Sequence, residues 1–468
     1  MMTGARARRG CAGRGCAGVP GVGGSRKRRG EQVAVAGGAR RRWAVAAWVG
    51  SRVLLLAWVL KAVPFPGLDV TGDVSVTYRG WYEVLRTGSY PVGDITWQYP
   101  PGAALAMLSP ALLPFLAYAT AFALVLLALD ALVLAMLLRA GERRTAQSAP
   151  GGSGSLRGAW VWVAGVPLLG PTGYARYDLM VAAVAVAALL VGARRPRLLG
   201  ALAAFGALLK VWPLLVLVGT RRGRTTVRSW GTAVATGMVL LLVTGLTLPG
   251  ALGFLGAQRG RGTEVESLGA LVFQVARHLG WAGEVRLNYG SIEFLGPYVA
   301  VVSGVAEGLS LVALAWLLVW RYAARARPPG TLADAAFVAV LLFTTTSRVI
   351  SPQYMVWLVG LAAVCLVRRA ATMTGPAVLV LAATAVTTLE FPIWFGHVVA
   401  GDAFGILLLC LRNGLLVAAT VIAGVRLWRR TVSVPRRTAE ASSAAAPQTA
   451  HDPGDGRRWL SSVPAHPD

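Results

Sequence analysis

The chain has 468 residues, of which 55% are hydrophobic and 14% charged, with a formal net charge of +26 at pH 7. Apolar runs of about 20 residues recur along it, the length at which a helix crosses a bilayer. Continuous runs such as 124–138 exclude a transmembrane β-barrel, whose strands alternate polar and apolar residues. We therefore predict an all-α, polytopic transmembrane helical bundle.

The positive charge lies in the tails and at the ends of apolar runs. Such clusters mark the cytoplasmic side of membrane helices, so the charge does not indicate nucleic-acid binding. The clusters fall at residues 139–144, 194–197, 221–228, 321–327, 368–369 and 426–430. They predict a multi-pass protein of the plasma membrane with both termini in the cytoplasm.

The two ends of the chain have the composition of disordered segments. Residues 1–42 are rich in Gly, Ala and Arg, and residues 429–468 become rich in Ser, Ala and Pro, so we predict disordered cytoplasmic tails. Cys11 and Cys16 match no usual zinc-site spacing. Arg52 and Lys61 interrupt the apolar run 43–63, which we interpret as a retained anchor rather than a signal peptide.

The transmembrane domain is expected over residues 43–428, with about 10 to 12 membrane segments. After the helix at 43–63 comes a polar external loop at about 64–100. The run 101–139 must end inside, so a partial or re-entrant helix at 101–116 is expected before a crossing at 117–139. Further crossings are expected near 159–175, 177–193, 229–248, 297–320, 331–347, 352–367, 375–391 and 402–425, with a second large external loop at about 249–296.

The run 199–219 is unusual because Lys210, Trp212 and Pro213 interrupt it. Proline removes a helix hydrogen bond, which favours two half-helices dipping into the membrane over one crossing. A lysine in an apolar run is unfavourable in lipid unless it meets water, phosphate or a carboxylate. Lys210 therefore either faces a bound anionic substrate or snorkels to the cytoplasmic surface.

This threading places nearly every unusual polar residue at or near the external face. They include Asp69, Asp73, Arg79, Tyr99, Arg176, Asp178, Arg259, Arg261, Glu264, Glu266, Arg348, Gln353, Tyr354, Glu390, His397 and Asp402. Several are arginines placed against the positive-inside trend. Because a guanidinium binds phosphate or carboxylate in a fork, these arginines indicate either an anionic ligand or contacts with lipid headgroups.

The absence of their sequence motifs excludes several enzyme classes. No Walker or Rossmann glycine pattern opens a strand–helix unit, and no metalloprotease spacing or nucleophile elbow occurs in the sequence. An external enzyme of this build needs a substrate delivered in the membrane, such as a lipid-linked phosphate. A carboxylate would accept a proton from an acceptor hydroxyl, and arginines would bind the leaving phosphate. This chemistry requires neither a metal nor another cofactor.

Six blocks of sequence resemble glycosyltransferase family 87, whose members are polyprenyl-phosphate-mannose-dependent α-mannosyltransferases of the C-type glycosyltransferase superfamily. The blocks are DVSVTYRGWYEVLRTGSY at 73–90 with QYPPGAAL at 98–105, GPTGYARYDLM at 170–180, LLKVWPLL at 208–215, RGRGTEVESL at 259–268, SRVISPQYMVWL at 347–358 and LRNGLL at 411–416. Together they extend over most of residues 43–428. The resemblance implies inverting transfer of mannose from the lipid-phosphate donor to a lipid-linked or glycan acceptor on the outer face.

The resemblance also implies roles for particular residues. Asp73 matches the first-loop aspartate that acts as general base, with Asp69 in reserve; alternatively, Asp73 caps a short helix. Arg259, Arg261 and Glu266 match the second large loop, where acceptor or phosphate contacts are expected.

Further candidate binding residues lie in the same matching blocks. Arg348, Gln353 and Tyr354 are expected to hold the donor head group, although Tyr354 also fits an interfacial aromatic belt. The remaining candidate substrate-binding residues are Tyr78, Tyr99, Arg176, Asp178 and Lys210.

Two other functions fit some of these features. A transporter or flippase for a lipid-linked or anionic substrate would also have broken helices and buried charges, and a non-catalytic scaffold for envelope assembly is a third interpretation. A carrier commonly shows an internal repeat and charges near the midplane, whereas here no repeat is seen and the charges gather on one face. These differences favour the transferase.

Depth counting predicts one buried ion pair. Arg52 is nine residues from Trp43, and Asp130 is nine residues from Arg139, so both lie about 13 Å into the bilayer. We predict that they pair and hold the first helix against the helix after the first loop. The alternative is that Arg52 snorkels and Asp130 is protonated.

Overall fold

The structure is a computed structural model that describes residues 22–146, 155–192, 194–256 and 261–433, without the side chains of 22–37 and 144–146. The helices are α1 (Val22–Val59), α2 (Arg79–Leu85), α3 (Ala103–Leu108), α4 (Tyr118–Ala146), α5 (Arg157–Leu168), α6 (Asp178–Gly192), α7 (Pro196–Leu209), α8 (Arg224–Thr247), α9 (Ala270–Ala276), α10 (Val299–Ala323), α11 (Thr331–Thr346), α12 (Tyr354–Cys365), α13 (Thr374–Thr388), α14 (Phe395–Ala400) and α15 (Ala403–Thr431). Among the described residues, six helices are long and apolar enough to cross a membrane, and five shorter helices are also apolar. The predicted all-α polytopic membrane fold is confirmed.

The bundle is built around α12, which packs against α5, α6, α11 and α13. Every residue of α12 except Tyr354 is buried. At Gly158 of α5, a side chain would place its Cβ 2.2 Å from the carbonyl oxygen of Ala363, so only glycine permits this approach of α5 to α12. By contrast, α8 and α10 expose most of their apolar side chains, as expected of helices that face lipid.

The two interrupted segments are broken where the sequence predicts. The run after the first loop forms α3 and a 3-10 turn over Ser109–Leu112, and α4 begins only at Tyr118. The second interrupted run ends its first half at Leu209, takes an extended backbone at Lys210 and resumes as a 3-10 turn over Trp212–Leu217. In both runs a proline lies in the first turn of the 3-10 segment, where it removes a helix hydrogen bond.

The second long loop contains structure that the sequence analysis left unassigned. Strands β1 (Thr263–Glu264), β2 (Glu284–Asn288) and β3 (Ser291–Leu295) form an antiparallel sheet in the order β1-β3-β2. The β2–β3 hairpin turns through Tyr289 and Gly290, both with positive φ. Such a two-residue turn matches the twist of its strands.

The described residues cover the predicted tails only in part. Helix α1 begins at Val22, so it extends into the 1–42 segment for which disorder was predicted. Residues 1–21, which include Cys11 and Cys16, and residues 434–468 lie outside the described residues. The predicted tails, domain limits and membrane orientation stay predictions.

Asp130 is fully buried in the middle of α4 and lies against Arg52 of α1, with 2.7 Å between Oδ2 and Nε. Its two oxygens also accept hydrogen bonds from the indole N–H groups of Trp48 (2.8 Å) and Trp162 (2.7 Å) and from the hydroxyl of Tyr174 (2.8 Å). A buried charge is tolerated when it is paired and hydrogen-bonded in this way. The network joins α1, α4 and α5.

Replacing Asp130 with alanine should destabilise the protein by about 3 to 5 kcal/mol, because the Arg52 charge would remain buried without its partner. The thermal unfolding midpoint in detergent measures this effect. Glu142→Ala is the matched control on the same helix, since Glu142 pairs with Arg41 at an exposed site and should contribute about 1 kcal/mol or less. Equal midpoints for the two variants would show that the network does not stabilise the fold.

Candidate functional site

A cavity of about 400 Å³ lies at one end of the bundle, where the two long loops meet. We call this end the loop end. The first loop contributes Leu68, Asp69, Val70, Asp73, Thr77, Tyr78, Trp81, Thr96 and Tyr99; the second contributes Glu264, Glu266, Leu287, Tyr289, Gly290, Ser291 and Ile292; and Arg176, Ser351, Pro352, Gln353, Phe391 and Phe395 complete the lining. The site is therefore assembled from parts of the chain that are far apart in sequence.

The hairpin tip is tied to the first loop beside this cavity. The side-chain amide of Gln98 donates to the main-chain oxygen of Tyr289 at 2.8 Å, and its oxygen accepts from Arg261 at 3.2 Å. Arg261 pairs in turn with Glu293 (2.9 Å) and donates to Ser291 (2.7 Å). Arg261, predicted to contact substrate, thus braces the hairpin against the first loop.

Asp73 opens a π-helical turn over Asp73–Tyr78, and its side chain is 49% exposed at the cavity. It forms an ion pair with Arg176, which lies in the turn between α5 and α6. The guanidinium also donates to the main-chain oxygens of Val70 (3.2 Å) and Ala175 (2.9 Å). Arg176 therefore holds the Asp73 carboxylate in place, and an accessible oxygen can still meet a substrate.

Asp69 lines the same cavity but is more heavily committed to protein donors. It accepts from the Lys61 ammonium at 2.7 Å and from the N–H (2.9 Å) and hydroxyl (2.6 Å) of Thr71. The hydrogen bonds from Lys61 and Thr71 lower the pKa of Asp69. Three protein donors occupy the oxygens of Asp69, whereas Arg176 is the partner of Asp73 among the described residues, so the geometry favours Asp73 over Asp69 as proton acceptor.

Two glutamates of the second loop face the cavity with different surroundings. Glu264 accepts from the N–H of Ile350 (2.6 Å) and the hydroxyl of Ser351 (2.9 Å), which ties the second loop to the turn before α12. Glu266 is only 4% exposed, and its Oε1 has no hydrogen-bond partner among the described residues. Burial, with a contribution from the Glu264 carboxylate, raises the pKa of Glu266 well above its usual range.

Lys210 turns into the bundle instead of snorkelling. Its ammonium lies 2.7 Å from Asp178, which also accepts from the indole N–H of Trp357 at 2.8 Å. The ammonium lies between 4.9 and 5.8 Å from four aromatic ring centres, those of Tyr99, Tyr177, Tyr354 and Trp357. This cluster around the Lys210–Asp178 pair meets the cavity at Tyr99, which belongs to both.

The predicted site residues thus fall into three groups. Those lining the cavity are Asp69, Asp73, Tyr78, Tyr99, Arg176, Glu266 and Gln353. Asp178, Lys210 and Tyr354 form the cluster behind Tyr99. Arg261 and Arg348 lie outside the lining and pair with Glu293 (2.9 Å) and Glu307 (3.2 Å), while Arg259 lies outside the described residues.

Most of the lining residues were not among the predicted site residues, and three of these, Trp81, Tyr289 and Glu264, carry groups that shape the cavity. Trp81 packs edge-on against Trp97 and Tyr99, and its indole N–H donates to Asp94 at 2.7 Å. Tyr289 reaches the cavity through the hairpin turn, and the Asn-Tyr-Gly sequence at 288–290 is the available signal for that turn. The sequence predicts that Glu264 lies on the external face but does not indicate a role for it. In the described part of the chain, no group of three or more His, Cys, Asp or Glu side chains is placed to hold a metal ion.

Comparison with known proteins gives one match. The sequence model of glycosyltransferase family 87 matches residues 97–352, which is more than half of the chain. The match includes Tyr99, Arg176, Lys210 and Glu266 and begins after Asp73. Neither a curated protein nor a solved structure matches the chain.

The Gln98 contact should restrict the motion of the β2–β3 hairpin. In a Gln98→Ala variant, the main-chain amides of residues 284–295 should exchange with deuterium faster than in the wild type, because the side chain that ties the tip to the first loop is gone. Glu284→Ala serves as the control on the same hairpin, since Glu284 pairs with Arg286 at an exposed site. Identical exchange in the wild type and the Gln98 variant would contradict the proposed tie.

Proposed function

The chain belongs to glycosyltransferase family 87, and from that membership we propose that it transfers a hexose, with mannose as the best candidate, from a polyprenyl-phosphate donor. The acceptor is an envelope glycolipid or polysaccharide, and transfer takes place on the extracytoplasmic face of the plasma membrane. Family membership also favours this function over a transporter or flippase.

The observation that carries the mechanism is the position of Asp73, half-exposed at the cavity and held by Arg176. As the acceptor oxygen attacks the anomeric carbon, the hydroxyl proton passes to the Asp73 carboxylate. The bond from the anomeric carbon to the phosphate oxygen breaks, and polyprenyl phosphate leaves with that electron pair. Attack opposite the leaving group inverts the anomeric centre.

The growing charge on the leaving phosphate needs positive groups close by. Arg176 lines the cavity, and Lys210 lies behind Tyr99 with one hydrogen bond to Asp178. We propose that these two cations bind the phosphate, with Gln353 and Tyr354 beside them. Arg348 is a more distant contact for the donor head group, and Arg259 and Arg261 are further candidate contacts on the second loop.

The proposed orientation follows from charge. The basic clusters that mark the cytoplasmic side, such as those at 221–228 and 321–327, lie at the start of α8 and at the end of α10. The loop end lies at the other ends of these two helices. The cavity would then face away from the cytoplasm, toward donor and acceptor lipids carried in the outer leaflet.

Asp73→Asn should reduce transfer by about 100-fold or more, because an amide cannot accept the acceptor proton. The assay incubates purified protein with radiolabelled polyprenyl-phosphate-mannose and envelope lipid extract and measures labelled product. Asp69→Asn should reduce transfer less. Glu83→Gln should leave it unchanged, because Glu83 is exposed, pairs with Arg86 and does not line the cavity.

Two results would each contradict one part of this proposal, the first the catalytic base and the second the sugar. An Asp73→Asn protein that folds and keeps more than a tenth of wild-type turnover would show that another group is the base. Labelled product from a different polyprenyl-phosphate hexose, with none from the mannose donor, would show that the sugar is not mannose.

Arginine variants test the phosphate contacts. Arg176→Ala should raise the donor KM and lower kcat, and Arg176→Lys should restore only part of the loss because the forked geometry is missing. Arg348→Ala should have a smaller effect on the donor KM, since Arg348 lies outside the lining. Unchanged kinetics in the Arg348 variant would reduce that residue to a lipid-headgroup contact, and unchanged kinetics in Arg176→Ala would remove the proposed phosphate site.

A further inference from the structure

Glu266 lies at the cavity with its carboxyl group almost completely enclosed. The residue is 4% exposed, and Oε1 is buried without a hydrogen-bond partner among the described residues. Buried polar atoms in native proteins nearly always have a partner. Because Glu266 also lines the cavity, a ligand in the cavity is the natural source of that partner.

Arg412 is the nearest cation, but it is already committed. Its Nη2 lies 3.8 Å from Oε1 of Glu266, too far for a hydrogen bond. Nε and Nη2 each donate to Glu390 at 2.8 Å, and Nη2 also donates to the main-chain oxygen of Glu266 at 2.9 Å. The guanidinium therefore fixes the backbone of Glu266 and leaves its carboxyl group available.

The surroundings also determine where a proton resides. Burial raises the pKa of Glu266 well above its usual range, the carboxylates of Glu264 and Glu390 raise it further, and the charges of Arg412 and Arg176 oppose them. Glu264 accepts two hydrogen bonds and Glu390 accepts two from Arg412, whereas Glu266 accepts none on Oε1. A proton shared among these acids therefore resides on Glu266. A protonated carboxyl group offers one donor and one acceptor, which is the complement of a hydroxyl group.

The lining of the cavity indicates what kind of ligand brings that hydroxyl. It contains four acidic residues, Asp69, Asp73, Glu264 and Glu266, while Arg176 is the one Lys or Arg residue among the described lining residues and is paired with Asp73. A phosphate placed among these carboxylates would meet like charge, whereas a neutral sugar would not. Aromatic rings of Tyr78, Trp81 and Tyr99 add apolar surface for the sugar ring.

We propose that the Glu266 carboxyl group binds a hydroxyl of the acceptor's sugar and positions that sugar against Asp73. This inference rests on the proposed function and makes it more specific. It assigns the acidic cavity to the neutral acceptor and leaves the donor phosphate to the cations at its edge.

Glu266→Ala should raise the half-saturating concentration of acceptor extract about tenfold or more, with the donor KM unchanged. Glu266→Gln should keep most of the acceptor affinity, because the amide also offers a donor and an acceptor. Wild-type activity should fall as the pH rises through the raised pKa of Glu266, whereas the glutamine variant should lack this alkaline loss. Glu83→Gln, at an exposed carboxylate, controls for a general effect of lost charge.

An infrared measurement tests the same inference without turnover. The difference spectrum between the wild type and Glu266→Gln at neutral pH should contain a protonated-carboxyl band that shifts with octyl α-mannoside or octyl β-glucoside and not with octanol. A band that is absent or does not move with either glycoside overturns the inference, as does an unchanged acceptor dependence in Glu266→Ala. If the wild type transfers no sugar from any lipid-phosphate donor but the band shifts, the proposed function fails and the sugar contact stands.

Discussion

A charge enclosed in a membrane protein must have its hydrogen bonds satisfied inside the protein, and this constraint determines how the bundle holds its cavity. Asp130 meets this requirement through hydrogen bonds that join α1, α4 and α5. Glu390 meets the same requirement, because both of its oxygens accept hydrogen bonds from Arg412 of α15. Because Arg412 also binds the main chain of Glu266, the second pair fixes a residue that lines the cavity.

The broken helices follow from the same constraint. An extended residue at Lys210 interrupts the helix hydrogen bonds, which is tolerated at membrane depth only when protein or water surrounds it. Here Asp178 and a ring of aromatic side chains surround it. The break therefore places the Lys210 ammonium group beside the cavity. In an unbroken helix, the same group would lie at a different depth in the membrane. Stability and the proposed phosphate site thus depend on the same residues.

The sequence predicts features that depend on length, depth or local chemistry. Pro213 predicts the break near Lys210, and counting residues from helix ends brings Arg52 and Asp130 to one depth, where the structure pairs them. It does not predict helix rotation, so the pairing of Arg412 with Glu390 was missed, although both residues are visible in the sequence. Loop contacts between distant segments, such as those of Arg261, could not be predicted from the sequence either.

Charge divides the site into two parts, which matches the demands of the proposed reaction. A lipid-phosphate donor brings a negative charge that must be stabilised as the sugar leaves, whereas a sugar acceptor is neutral and must lose a proton. Cations at Arg176 and Lys210 suit the first demand, and the carboxyl groups of Asp73 and Glu266 suit the second. Since Arg176 pairs with Asp73, it lies at the boundary of the two parts. Bond exchange is therefore expected at that boundary, between the acidic cavity and the cluster behind Tyr99.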